Sequence, residues 1–201
     1  MFIIGITGGT GAGKTAALRV LGSLGALTLN CDAIYHKLLS ENEDLISELG
    51  ARFDGVLLNG AIDRKRLGEI VWPDPSALLE LNAITHKYVS AEIERQIAKS
   101  TAAGGKITAI DAIALLESGA AEKCDAVVGF IAPANSRISR IMRRDGMSRK
   151  QAQMRIGAQK PDSYYIENCD YILENKYDSP AEFKEKCKEF FTELLKARNV
   201  Q

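Results

Sequence analysis

The feature that most constrains this chain is a glycine-rich segment, Gly8–Thr15, which follows an apolar run and precedes a helical pattern. It reads GGTGAGKT and fits the pattern G-x-x-x-x-G-K-[ST] in full. Its small residues permit a sharp turn and let backbone N–H groups close around a phosphate at the positive end of the following helix. We expect Lys14 to approach the β- and γ-phosphates and the Thr15 hydroxyl to ligate Mg²⁺. A glycine turn with a chance lysine is the alternative, but the complete motif between strand and helix favours a nucleoside triphosphate site.

Short β-rich runs alternate with helical patterns along the chain, as in a parallel sheet covered by helices. Several of the runs are apolar almost throughout, as expected for strands buried on both faces. The predicted strands are Phe2–Thr7, Ala26–Asn30, Lys106–Asp111, Asp125–Ile131 and Asp170–Leu173. The predicted helices include Lys14–Leu24, Arg64–Val71 with Asp63 as its N-cap, Ala77–Ala98, Asn135–Arg144, Arg149–Ala158 and Ala181–Arg198.

The spacing of the predicted strands indicates a large insertion. About 75 residues separate the second strand from the third, and their pattern is almost wholly helical. We therefore predict one α/β domain: a doubly wound parallel sheet of the P-loop type, with a helical substrate-binding insertion over roughly Ala33–Gly104. The core is then formed by residues 1–32 and 105–201.

Composition excludes several other classes of protein. The 26 Lys and Arg residues balance the 26 Asp and Glu residues, so no overall field favours nucleic acid or an anionic membrane as partner. The apolar runs are too short to span a bilayer, and the apolar start lacks a basic segment, which predicts a strand rather than an export signal. The four cysteines show no C-x₂-C spacing and histidines number only two. These features are typical of a cytoplasmic protein with reduced thiols.

Two aspartates follow predicted strands, at the edge where ligands gather in open α/β sheets. Asp32 comes two residues after the second strand and is expected at the same edge of the sheet as the glycine-rich segment. It could there accept a hydroxyl proton from an acceptor substrate, or it could cap a helix over Ala33–Leu39, and the spacing leaves both open. Asp111 ends the third strand and is expected to hold Mg²⁺, directly or through water. A helix cap, or a carboxylate that supports another ligand, is its alternative.

A basic helical hairpin is predicted over residues 137–160, where eight basic residues accompany one acid. Arg137, Arg140 and Arg144 share one helical face, which suits contacts to phosphate oxygens. Gly146 between the helices would let the pair close over the nucleotide as a lid. A solvated surface or a nucleic-acid site is the alternative, although scarce aromatic residues weaken the second.

Six segments along the chain, taken in order, resemble the motifs of one family, the dephospho-coenzyme A kinases. The match covers nearly the whole chain and is far more specific than the glycine-rich segment alone. The segments are Ile4–Thr15; Asn30–Ile34, like D-A-D-x-I; Asp111–Glu117, like D-x-P-L-L-x-E; Arg140–Asp145, like R-x-x-x-R-D; Arg155–Gln159, like R-I-x-x-Q; and Cys169–Asn175, like A-D-Y-V-I-x-N.

The resemblance implies ATP-dependent phosphorylation of the ribose 3′-hydroxyl of dephospho-coenzyme A, the last step of coenzyme A synthesis. It implies that Asp32, Lys14 and Arg140 are catalytic, with Arg140 in the lid near the phosphates. Asn175 is expected beside the adenine of ATP, and His86 in the helical substrate-binding part. The expected nucleotide-binding residues are Gly11, Ala12, Gly13, Lys14, Thr15, Ala16 and Asn175.

The sequence departs from the family pattern at a few positions. Asn30 and Cys31 replace the first two residues of D-A-D, Ile113 replaces a proline, and Lys87 stands where a proline usually follows the histidine. These positions bear on how the acceptor is seated. A nucleoside or nucleotide kinase of the same architecture is the alternative, as is a nucleotide-binding regulator with weak turnover. The sequence does not determine the oligomeric state.

Overall fold

The computed structural model describes residues 1–200, which form two compact units, Asn30–Lys99 and the remainder of the chain. In chain order the elements are β1 (Phe2–Gly8), α1 (Lys14–Ser23), β2 (Leu27–Asn30), α2 (Cys31–Glu41), α3 (Glu43–Arg52), β3 (Leu57–Leu58), β4 (Ala61–Ile62), α4 (Arg64–Val71), α5 (Pro75–Ala102), β5 (Ile107–Asp111), a 3₁₀ turn (Ala120–Lys123), β6 (Ala126–Ile131), α6 (Ala134–Asp145), α7 (Arg149–Gly157), α8 (Asp162–Asn168), β7 (Tyr171–Glu174) and α9 (Pro180–Ala197).

The core unit is built on a five-stranded sheet of order β2-β5-β1-β6-β7. The central strand β1 pairs in parallel with β5 and β6, with Ile6 opposite Asp111 on one side and Val128 on the other. Strands buried on both faces carry apolar side chains throughout, which explains the near-continuous apolar runs in the sequence. The predicted α/β sheet fold, with its five strands, is confirmed.

Alternate side chains of β1 point to the two faces of the sheet, and helices or turns cover both. Ile4 and Ile6 lie in the main core with Leu21 of α1 and Phe191 of α9, all without solvent exposure. On the other face, a Cβ on Gly5 would lie 2.7 Å from a methyl of the buried Leu115, so the glycine allows this close approach.

The unit Asn30–Lys99 differs in one respect from the predicted, almost wholly helical insertion. A short antiparallel hairpin, β3 with β4, interrupts it, and its turn residues Asn59 and Gly60 both have positive φ. The pattern of this segment predicts helices and no strand, so the hairpin is an addition to the predicted organisation. The Asn-Gly dipeptide is the usual signal of such a turn, and the strands are too short to show an alternating pattern.

The helices of this unit begin at side chains that accept bonds from their first N–H groups. Asn30 accepts from Ala33, 2.7 Å, at the start of α2, and Asn42 accepts from Leu45, 2.8 Å, at the start of α3. Asp63 accepts from two N–H groups of α4, which confirms its predicted capping role. The long helix α5 exceeds its predicted span at both ends and starts at Pro75, where a missing N–H costs nothing.

Among residues 1–200, no helix is both long and apolar enough to cross a membrane. The same residues include no cluster of three or more His, Cys, Asp or Glu side chains placed to hold a metal ion.

Leu21→Ala should lower the free energy of unfolding by about 2–5 kcal/mol, because it leaves a cavity in the main core. Leu79→Ala is the matched control, since that side chain is 70% exposed and its truncation should change stability by less than about 0.5 kcal/mol. Urea unfolding of both variants measures the difference. Equal destabilisation would contradict the assignment of Leu21 to the core.

Candidate active site

The glycine-rich segment forms a loop from the end of β1 to the start of α1, as its sequence predicts. Gly8 has φ 133° and lies so close to the Phe130 backbone of β6 that a Cβ would overlap it. Gly13 has φ 118°, and a Cβ there would lie 2.5 Å from the Phe183 ring and 2.7 Å from the Asn175 amide nitrogen. Both positions therefore require glycine for conformation and for space.

Lys14 folds back across the loop that it follows. Its ammonium donates to the Gly8 carbonyl, 2.6 Å, and to the Gly9 carbonyl, 3.3 Å. The positive charge thus lies over the loop, at the N-terminal end of α1. This arrangement combines a point charge with the helix dipole, and both favour bound anions.

Arg140 of α6 connects the loop to the segment after β7. Its guanidinium donates to the Gly11 carbonyl, 3.1 Å, to the Asn175 side-chain oxygen, 3.0 Å, and to the Tyr177 carbonyl, 2.9 Å. Burial, together with the nearby Arg143, lowers the pKa of Arg140 from its usual value. Arg140 therefore lies against the glycine-rich loop, and its expected place near the phosphates stays a prediction.

Asn175 is 5% exposed, and its side chain is bonded on both sides. Its amide nitrogen donates to the Ala12 carbonyl, 3.0 Å, while its side-chain oxygen accepts from Arg140. Asn175 therefore supports the loop backbone directly. Its expected place beside an adenine stays a prediction.

Arg137 and Gln159 hold the other side of the loop, at Thr10. Arg137 is 4% exposed and donates to the Thr10 carbonyl, 2.9 Å, and to Gln159, 2.7 Å. An ion pair to Asp162, 3.5 Å, adds a compensating charge. A buried guanidinium requires such partners, because an unpaired charge away from water is costly.

The predicted basic hairpin is present as α6 and α7, with Gly146 at φ 67° ending α6. Its arginines do not act as one phosphate-facing set. Arg137 and Arg140 reach the loop, but Arg144 is exposed and pairs with its neighbour Asp145 at 2.6 Å. Arg144 differs from the other two arginines because the adjacent Asp145 offers it a carboxylate within its own turn.

Asp111 lies at the carboxyl end of β5 and is 7% exposed. It pairs in register with Ile6, two residues before the loop begins at Gly8, so both lie at the same edge of the sheet. The next helical element in the described chain begins only at Ala120, which rules out a helix-cap role for Asp111. A carboxylate here suits Mg²⁺, which prefers oxygen ligands.

Asp32 belongs to the unit Asn30–Lys99 and is exposed in the first turn of α2. The N-cap of that helix is Asn30, so the interpretation of Asp32 as the cap is wrong. α2 starts two residues earlier than the sequence indicates, because Asn30 is itself a favoured cap.

One turn along α2, His36 lies on the same face as Asp32. Its Nε2 is 3.2 Å from a guanidinium nitrogen of Arg64. Partial burial, and then the Arg64 charge, lower the pKa of His36, whereas Asp32 acts in the opposite direction. His36 is therefore favoured in its neutral form.

The remaining predicted site residues fall in both units. Thr15 is exposed and Ala16 half-buried in the first turn of α1, beside the loop. His86 is exposed on α5, in the unit that contains Asp32. The structure brings together the loop residues, Arg140 and Asn175 within the core unit.

The site residues predicted from the sequence do not include Thr10, Gln159, His36 or Arg64. Gln159 ends one of the six family-like segments, which was an available signal. His36 follows Asp32 by four residues, a spacing that places both on one helical face. Nothing in the local sequence distinguishes Arg64 from the other basic residues of α4.

Comparisons with known proteins agree with this architecture. The dephospho-CoA kinase of Geobacter sulfurreducens is 33% identical over 193 residues, which cover 95% of this chain and 98% of that protein. The solved structure of dephospho-CoA kinase from Campylobacter jejuni has a TM-score of 0.71 and 28% identity, with 98% of each chain covered. Shikimate kinase from Bacteroides thetaiotaomicron, at 13% identity and a TM-score of 0.57, shares the fold over 97% of this chain and 98% of its own.

A family model described as dephospho-CoA kinase matches residues 2–180. The resemblance drawn from six short segments is thereby confirmed over most of the chain. This match, and the identity to the Geobacter sulfurreducens enzyme over nearly the whole length of both chains, show that the chain belongs to the dephospho-CoA kinase family.

Proposed function

We propose that this chain transfers the γ-phosphoryl group of ATP to the ribose 3′-hydroxyl of dephospho-CoA, giving CoA and ADP. The observation that carries the proposal is a complete phosphate loop, supported by Arg140 and Asn175, in a member of this family. The cytoplasm is its proposed location, and small molecules are its proposed partners, with neither nucleic acid nor membrane among them.

The loop and Lys14 bind and polarise the triphosphate. The backbone of residues 11–16 and the positive end of α1 would surround the phosphates. The Lys14 ammonium exchanges its bonds to the Gly8 and Gly9 carbonyls for phosphate oxygens. Because charge spreads over the equatorial oxygens during transfer, a fixed positive charge at this position stabilises the transition state.

Mg²⁺ would be held by the Thr15 hydroxyl and the Asp111 carboxylate, both of them oxygen ligands of the kind this ion prefers. Bound there, the ion would neutralise charge on the phosphates. Asn175 would lie beside the adenine.

Asp32 orients the acceptor hydroxyl and accepts its proton. The support is its position two residues after β2, its exposure, and its match to the final acid of the family's D-A-D motif. Because Asn30 caps α2, the Asp32 carboxylate is not used as the N-cap. The unit Asn30–Lys99 would hold the acceptor, with His86 among its contacts.

The acceptor is tested by measuring ADP release from the full chain with ATP and Mg²⁺ and one of four additions: dephospho-CoA, adenosine, AMP or buffer. Of the four additions, we expect only dephospho-CoA to support ADP release. We expect that release to stop when EDTA removes Mg²⁺. Preference for adenosine or AMP would indicate a nucleoside or nucleotide kinase. ATP binding without acceptor-dependent turnover would indicate a regulator.

Asp32→Asn should lower single-turnover phosphoryl transfer to dephospho-CoA by about 10²–10⁴-fold, because the amide does not accept the proton. The melting temperature and the affinity for ATP should stay at their wild-type values. Asp44→Asn is a closely matched control: Asp44 is also exposed at the second position of a helix capped by asparagine. An unreduced rate in Asp32→Asn would leave the reaction without an identified proton acceptor.

Arg140→Ala should strongly lower kcat/KM, because it removes the charge and the bonds that join Gly11 to Asn175. Arg149→Ala is the control, since that arginine is exposed and makes one bond, to Asn135, within the hairpin. Steady-state kinetics with ATP varied measures both. Similar behaviour of the two variants would contradict the role assigned to Arg140.

A further inference from the structure

The third residue of the phosphate loop, Thr10, has all of its polar atoms bonded to two distant side chains. Its N–H donates to the Gln159 oxygen, 2.9 Å, and its hydroxyl accepts from the Gln159 nitrogen, 2.7 Å. Its carbonyl accepts from Arg137, 2.9 Å, which also donates to the Gln159 oxygen, 2.7 Å. Thr10 is 6% and Arg137 4% exposed, whereas Gln159 is half-buried.

The Thr10 N–H is therefore bonded to Gln159. In a phosphate loop the other N–H groups can converge on one anion only if the turn keeps its shape, and the bond from Thr10 to Gln159 holds one residue of that turn. The glycines beside it leave the backbone with little intrinsic stiffness. Bonds from outside the loop therefore add to those that Lys14 makes within it.

Arg137 and Gln159, which bind Thr10, both lie at the base of the α6–α7 hairpin. Arg137 lies in the first turn of α6, and Gln159 lies two residues beyond the end of α7. The two helices pack through Ile138, Ile141 and Ala152. The hydrogen bonds of Arg137 and Gln159 therefore join this packed hairpin to the loop at Thr10.

We propose that Gln159 is a positioning residue for nucleotide binding, which acts with Arg137 through Thr10 to keep the phosphate loop in its anion-binding shape. The threonine at position 10 belongs to the same network, because its hydroxyl accepts the second bond from Gln159. The inference deepens the proposed function, since it explains how the ATP site is held.

The role predicts a selective loss of nucleotide affinity. Gln159→Leu leaves the Thr10 N–H without its acceptor and removes one of the three acceptors of the buried Arg137. The loop then loses this support, and the Kd for ADP should rise about tenfold. The KM for dephospho-CoA should stay at its wild-type value. Gln159→Glu should restore nucleotide affinity, because a carboxylate accepts from the Thr10 N–H, the Thr10 hydroxyl and Arg137 alike.

The experiment titrates ADP into the full chain by calorimetry and records the melting temperature of each variant. Gln153→Leu is the control, because Gln153 is exposed on α7. Thr10→Val, which keeps the shape of the side chain and removes the hydroxyl, is a second variant. In the double variant, the losses of ADP affinity from Thr10→Val and Gln159→Leu should be less than additive. Each substitution alone already breaks the bond between the Thr10 hydroxyl and the Gln159 nitrogen.

A Kd for ADP in Gln159→Leu that differs by less than about threefold from that of Gln153→Leu would overturn the proposal. So would full additivity of the two substitutions, or an equal loss of affinity for dephospho-CoA. The titration needs no acceptor. Normal ADP binding by the wild type, with no turnover of dephospho-CoA, would contradict the proposed function and leave the role of Gln159 to be judged by the ADP affinities alone.

Discussion

The arrangement of side chains around the phosphate loop depends on the need of the loop backbone for hydrogen-bond partners. A glycine-rich turn has little stiffness of its own, and its buried carbonyl and N–H groups need partners. In this structure charged and amide side chains supply them, and all but one come from more than a hundred residues further along the chain. These side chains are Lys14, Arg137, Arg140, Gln159 and Asn175.

The same constraint explains the division of labour within the basic hairpin. Arg137 and Arg140 are directed at the loop, where their charges meet carbonyl oxygens, and the outer arginines remain at the surface with Asp145. A basic segment in a neutral chain therefore has two functions. Its inner face holds the phosphate loop. On its outer face, arginines form exposed ion pairs with Asp145, and such pairs contribute little to stability.

Some elements of the structure can be predicted from local sequence, and others cannot. The strands of the sheet, the phosphate loop and the hairpin about Gly146 were predictable, because each has a strong local signal: an apolar run, a complete motif, or a glycine between two periodic segments. The β3–β4 hairpin was missed, since two-residue strands have no period to detect. Helix α2 begins two residues before its predicted start, because Asn30 and Asp32 are both favoured caps and only backbone geometry separates them.

Short-range sequence patterns are sufficient to predict the fold class, the glycine-rich loop and the family, because these depend on residues close together along the chain and on the order of the motifs. Which arginine reaches which atom depends instead on tertiary packing. Residues three or four apart on a helix share a face, yet burial, and the presence of a nearer carboxylate, direct Arg137 to Thr10 and Arg144 to Asp145. The bonds of Gln159 to a residue 149 positions away could arise only from the folded chain, because no local pattern encodes a contact between such distant segments.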